Sequence, residues 1–355
     1  VPRADLLLAG VERDAVAAYL EPRAAAIDVG ALDVREGLAW LSATVLETAA
    51  GEKGPNHDLD RVSRVIATAA WSDLATAFSL WCHRMVLEYL AQTPDGSALR
   101  TVVLPRLVRT ELIGSTALAA AMSAAVMGTP LPVVAETRDG QFSVRGSVAW
   151  ASNLFTPDFV LVTAAATVDG PMVVALSGEE RAIAIKPPAR LLALDATCSS
   201  SLTLHDVAVA EDWVVARDFA SFIRRVRPVF LILQTSFALG LAVRALGEAA
   251  GGLRGPNVVL TPDLAALETL ADRLVDTLRA AAHCRGDGWA VGDLVRLRYE
   301  SACLATSAVA LEAKTQGGRG YLAASGTARR LREAAFLPVQ SPTEGQLRWE
   351  LQHCA

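Results

Sequence analysis

The chain has 355 residues, of which 52% are hydrophobic and only 6% aromatic, with 33 basic against 38 acidic residues and a net charge of −5. That length carries two or three domains and a large core, and the alanine-rich, aromatic-poor mixture suits packed helices better than a β-sandwich. The charge leaves no polyanion footprint, so nucleic acid is not an expected partner. The five cysteines (Cys82, Cys198, Cys284, Cys303, Cys354) form no CxxC pair, which predicts neither a disulfide framework nor a metal site and makes a reducing cytoplasm the default.

Residues 1 to about 113 read as helical. Val11 to Ala26 forms one helix around Pro22, and Val34 to Ala49 a second, with Leu38, Leu41, Val45 and Leu46 on one face. A loop follows from Gly51 to Asn56, then helical patterning resumes from Leu59 to Leu90, and a short helix lies near Leu99 to Val108. Cys82-His83 within this stretch reads as packing with a polar tip rather than a nucleophile pair.

From Gly114 to Val215 strand-length runs replace the helices. Asp139-Gly140 opens an alternating stretch in which Phe142, Val144, Gly146, Val148 and Trp150 share one face, the period-2 sign of a half-buried strand. It ends in Trp150-Ala151-Ser152-Asn153, where a flat ring and a hydroxyl two residues apart suit a planar heterocycle; a core tryptophan beside a turn serine is the plainer reading. Phe159 to Ala166 and Met172 to Leu176 form a hairpin about Asp169-Gly170, and Ala182 to Ile185 and Ser201 to Val209 complete a compact antiparallel block. His205 falls on the face opposite Leu202 and Leu204, toward the surface.

Beyond Asp218 the helices return. Val226, Phe230, Leu233, Phe237 and Leu241 mark one apolar stripe, Leu264 to Leu278 a second, and Val291 to Lys314 a third helix, closed by the break Gln316-Gly317-Gly318-Arg319-Gly320-Tyr321. A last helical stretch runs through Arg332. The uncharged runs Leu112 to Ala135 and Pro228 to Val243 carry prolines or polar residues and read as buried rather than membrane-spanning, and the first ten residues lack the apolar length of a signal peptide. Helices, then strands, then helices argue an α+β protein, divided as an N-terminal α-helical domain 1–114, a middle β domain 115–217 and a C-terminal helical bundle 218–355.

Six segments in this order resemble the acyl-CoA dehydrogenase family. They are Glu21-Pro22-Arg23, Leu104-Pro105-Arg106-Leu107 with Glu111-Leu112-Ile113-Gly114, Arg138-Asp139-Gly140 through Trp150-Ala151-Ser152-Asn153, His205-Asp206-Val207-Ala208-Val209, Gly317-Gly318-Arg319-Gly320-Tyr321 and Arg332-Glu333-Ala334. The resemblance implies a helical domain, an antiparallel β domain and a four-helix bundle, with FAD held between the subunits of a homo-oligomer (a dimer or a tetramer) or of a mixed oligomer. It implies flavin contacts from Trp150 and Ser152, dinucleotide contacts from Arg254, Gly317, Gly318, Gly320 and Thr343, and an acyl thioester substrate, on coenzyme A or a carrier protein, oxidised at its CH–CH group.

The departures are equally specific. Ala119 to Ala125 stands where the family has its glycine-rich flavin loop, Leu253-Arg254-Gly255-Pro256-Asn257 lacks the usual phenylalanine, and Lys314 replaces a glutamine. Each lost contact to a charged group costs about 1.5–3 kcal/mol, so weakened FAD binding is expected. In strict register the catalytic base is replaced by Ser341, and Arg227 to Leu233 holds no carboxylate, which leaves Glu344 as the candidate base against the plain reading of a solvated helix-start glutamate. Two further functions stay open: a flavin monooxygenase or oxidase that needs no such base, and a cofactor-poor partner subunit that stabilises a catalytic homologue.

Overall fold

The computed structural model describes residues 6–46, 56–138, 140–187 and 190–353. Asp139, Gly51 to Pro55, the end of the second predicted helix, the start of the chain and Cys354 lie outside the described residues.

The N-terminal helices are α1 (Gly10–Asp28), α2 (Arg35–Leu41), α3 (Leu59–Ser72), α4 (Leu74–Leu90) and α5 (Leu104–Val108). The run expected as one helix from Leu59 to Leu90 divides at Asp73. Its extended backbone ends α3, and its carboxylate then caps α4 by accepting from the Thr76 amide at 2.8 Å. Every residue of α4 is buried, which makes it the axis of this region.

The middle region holds β1 (Ile113–Ala117), α6 (Ala119–Met127), β2 (Val133–Arg138), β3 (Gln141–Ala151), β4 (Phe159–Ala165), β5 (Met172–Ser177), β6 (Ile183–Ile185), β7 (Ser200–Val209) and β8 (Val214–Ala216). They form two four-stranded sheets, ordered β1-β4-β5-β8 and β2-β3-β7-β6. The expected all-antiparallel block is corrected at one place: β1 pairs with β4 in parallel, Ile113 opposite Phe159, because the long excursion through α6, β2 and β3 separates them. The hairpin at Gly170 (φ +114°) joins β4 to β5 as expected. Val133, Val144, Leu161, Val174 and Leu204 fill the core between the sheets.

The C-terminal region comprises α7 (Phe219–Gly251), α8 (Thr261–His283), α9 (Val291–Gln316), α10 (Gly326–Phe336) and α11 (Glu344–His353). Helix α7 alone is long and apolar enough to cross a membrane among the described residues, yet most of it is enclosed by protein as the central helix of the bundle. It crosses α3 so closely that a Cβ on Gly240 would stand 2.2 Å from the Ala67 carbonyl oxygen. One apolar core runs from the N-terminal helices into the bundle without a break. The order is therefore helical region, β region, helical bundle.

Candidate functional site

Two bulges shape the strand that carries the candidate flavin contacts. Val148 pairs with Leu202, but Ala151 pairs with Ser200, so β3 has one residue more than β7 over that interval. The extra residue reverses the alternation: Val144 and Val148 point into the core, Ala151 follows them inward, and Trp150 turns out, 59% exposed. Trp150 lines neither of the two cavities described below and presents its ring on an open face.

Ser152 stands at the end of β3 in a chain of hydroxyls. Its Oγ lies 2.6 Å from Ser199 Oγ, which lies 2.6 Å from Thr197 Oγ1, and Thr197 donates to the Leu194 carbonyl at 2.7 Å. Asn153, at φ +64°, fixes this end of the strand: its side-chain amide donates to the carbonyls of Ser79 (2.9 Å) and Gly114 (3.0 Å). His83 completes the junction by accepting from the Gly114 amide through Nδ1 at 2.9 Å. Burial, with the Arg84 charge added, pushes His83 down to about 3, so it stays neutral and serves as an acceptor. Gly114 is required here, since a Cβ would meet Val86 at 2.6 Å.

The remaining candidate contacts gather at the far end of α7. Gly317 ends α9 at φ +58°, ψ −147°, a conformation that favours glycine, and Gly318 has nothing within 4 Å of where a Cβ would stand. Gly320 is instead packed, with Gln316 and Thr327 carbons at 2.8 and 3.1 Å. Exposed Arg254 adjoins this turn, because Asn257 donates both to Gly252 and to Thr315, at 3.1 and 2.9 Å. Trp150 and Ser152 belong to the β region that precedes α7, and Gly317 adjoins the end of α7.

Thr343 and Glu344 open α11. The Thr343 hydroxyl accepts from the Gln346 amide at 3.3 Å as a helix cap. Glu344 pairs with Arg348 at 3.4 Å and faces Tyr299 and Cys303 of α9; burial raises the Cys303 thiol, and the Glu344 charge adds to it. The Ser341 carbonyl accepts from buried Gln234 of α7 at 2.9 Å, and Gln234 Oε1 in turn accepts from buried Arg298 at 3.2 Å.

A cavity of about 530 Å³ lies between the α1–α2 connection and the start of β1, lined by Asp33, Arg35, Glu36, Glu111 and Asp158, and contains none of the residues expected from sequence. A smaller one, about 210 Å³, opens between α6, α7, α9 and α11 and holds the ion pair of Arg227 with Glu350. Sequence reasoning missed both members of that pair; the arginine cluster at the start of α7 and a lone glutamate near the end of the chain carry no pattern that links them.

No family model and no curated protein matches the chain. Solved structures resemble it over nearly its whole length. A glutaryl-coenzyme A dehydrogenase in complex with glutaryl-CoA has a TM-score of 0.85 at 17% identity, with 96% of this chain and 92% of that one covered. Butyryl-CoA dehydrogenase from Megasphaera elsdenii gives 0.83 at 16%, covering 98% and 99%, and a prolyl acyl carrier protein oxidase gives 0.83 at 13%, covering 97% and 99%. The chain shares their fold, the acyl-CoA dehydrogenase type.

Proposed function

We propose that the chain is a subunit of an FAD-dependent oxidoreductase that acts on the CH–CH group of an acyl thioester, carried by coenzyme A or a carrier protein, in the cytoplasm. The observation that carries this reading is an exposed Trp150 with a hydroxyl two residues on in the β region, together with an open glycine turn after α9. The family resemblance implies FAD shared between subunits, so oligomerisation is part of this reading. The similar structures whose names include a CoA thioester and an acyl carrier protein support the substrate class.

The fit to the flavin is good on one side. Trp150 offers a ring-sized apolar surface on an open face, and Ser152 Oγ, whose own hydrogen goes to Ser199 when Thr197 donates to Leu194, presents an uncharged acceptor for a ring N–H. Gly317 and Gly318 leave room for close backbone approach. Bound FAD would supply the two-electron acceptor. The chain's own part is to stack the ring, orient it through Ser152 and hold the dinucleotide against the glycine turn, with Arg254 beside it.

The proton acceptor fits less well. Glu344 is the proposed base, and it serves only once its pairing with Arg348 is broken and its side chain leaves α9, since a base works within about 3 Å of the proton it removes. That geometry favours a second reading, a partner subunit that lends half of a flavin site to a catalytic homologue. The visible absorption of the purified protein separates them. Yellow protein that releases FAD on denaturation supports the first; colourless protein that takes up FAD only when mixed with a homologue supports the second.

A further inference from the structure

The cleft between α6, α7, α9 and α11 pairs one charged edge with apolar walls. Ala125, Val126, Val291 and Val295 line it together with Arg227 and Glu350. Both charged side chains are inside the protein, 13% and 4% exposed. Arg227 Nη2 donates to Glu350 Oε2, and the other Glu350 oxygen accepts from Gln346 at 3.3 Å.

The pairing is incomplete. Guanidinium groups bind carboxylates best through two parallel bonds from a forked edge, yet Arg227 Nε is buried and has no partner among the described residues. Glu350 is held to α11 by its own backbone and by Gln346, and it fills half of the fork.

A second guanidinium, on α9, is also incompletely satisfied. Arg298 follows Val295 by three residues on α9, nearly one turn and about 4.5 Å further along the helix axis. It is fully buried, donates to Gln234, Leu337 and Gln340, takes part in no ion pair among the described residues, and leaves Nη1 without a partner. Arg298 is thus an enclosed positive charge with no ion-pair partner among the described residues, which is costly.

We propose that this cleft is a binding site for the carboxylate of a short aliphatic acid or acyl chain, which takes the Nε–Nη2 fork of Arg227 in place of Glu350. The valine and alanine side chains seat the hydrocarbon, and about 210 Å³ limits it to a few carbons. The apolar walls around a single fork suit a monovalent carboxylate with a short hydrocarbon tail rather than inorganic phosphate, which has no apolar part to bury and brings a second charge to desolvate. The site stands apart from the flavin contacts and holds whether or not the chain binds FAD.

Calorimetric titration of the full chain with butyrate, with its uncharged isostere butyramide in parallel, tests this. Butyrate binds, butyramide and inorganic phosphate do not, Glu350→Gln binds butyrate about tenfold tighter because the fork is released, and Arg227→Met loses binding. The proposal is overturned if neither the wild type nor Glu350→Gln binds butyrate, if butyramide binds equally well, or if Arg227→Met retains full affinity. Should Arg227→Met not fold, the Glu350→Gln gain and the butyramide comparison decide the question alone.

Discussion

The side-chain amide of Gln234, buried in the middle of α7, donates to the main-chain carbonyl of Ser341 at 2.9 Å. That bond fixes the segment between α10 and α11 at the position where the family resemblance expects a carboxylate. Gln234 also takes a hydrogen bond from Arg298, which donates as well to Gln340 at 2.7 Å. Burial lowers Arg298 to about 10, still charged at neutral pH. Replacing Gln234 by Ala leaves the Ser341 carbonyl and Arg298 Nε unpaired inside the protein. Two such losses cost about 2–6 kcal/mol. Denaturant unfolding should show that loss, and hydrogen exchange should rise in residues 337–343; an unchanged midpoint would show the network to be dispensable.

Gly240 sets the distance between α7 and α3. A methyl group there would stand 2.2 Å from the Ala67 carbonyl oxygen and 2.9 Å from its carbon, both main-chain atoms that yield only if the helices separate. Gly240→Ala should destabilise the protein by about 3 kcal/mol or more. Gly247→Ala, on the same helix with open space around it, gains helix propensity and should be neutral or mildly stabilising. Thermal unfolding of the pair checks the contrast.

Asp73 and Glu333 share Arg329, each 3.8 Å from it, in a nearly dry setting where α10 meets the α3–α4 corner. Burial pushes both carboxyls up, and Glu333 moves from 4.5 to about 7; the Asp73 charge adds to the rise, while Arg329 and Arg330 oppose it. The folded state therefore keeps a proton on Glu333 that the unfolded chain releases, so this group's contribution to stability falls as the pH rises through 4.5 to about 7 and is lowest above that. Glu333→Gln should flatten this dependence, stabilising the protein by roughly 1–3 kcal/mol at pH 8 and little at pH 5. Melting curves of both proteins at the two pH values test it, and a Glu333→Gln gain no larger at pH 8 than at pH 5 would contradict it.

Much of this architecture is written in local pattern. The stripe from Val226 to Leu241 and the leucines of α8 are legible because burial follows the helical period, and Gly170 announces its hairpin through a left-handed turn. The orientation of Trp150 is not legible, because one inserted residue between Val148 and Ala151 reverses every side chain after it, and pairing with β7 decides where that residue goes. Helix α6 was hidden by context: Ala119 to Met127 is a strong helix former set among strands, and the resemblance placed a loop there. Asn153, Gln234 and the Arg227–Glu350 pair join residues between 39 and 123 positions apart, which no spacing rule reaches.

The glycine turn separates backbone need from ligand contact. Gly317→Ala must adopt φ +58° with ψ −147°, a strain of about 1–3 kcal/mol, whereas Gly318→Ala meets no neighbour within 4 Å. Thermal unfolding should therefore fall for Gly317→Ala and hold for Gly318→Ala, and equal melting of the two would remove the distinction.

The most direct test of the whole account is an FAD titration of the purified protein beside Trp150→Ala and Gly318→Val, read by flavin absorption and fluorescence. Both sites are exposed, so neither variant should lose its fold, and circular dichroism would check that. The account predicts that the wild type binds FAD as an oligomer and that either substitution alone, one on the β region and one on the glycine turn, lowers the affinity at least tenfold. Wild-type affinity in both variants, or a wild type that takes up no FAD alone or with a homologous subunit, would contradict it.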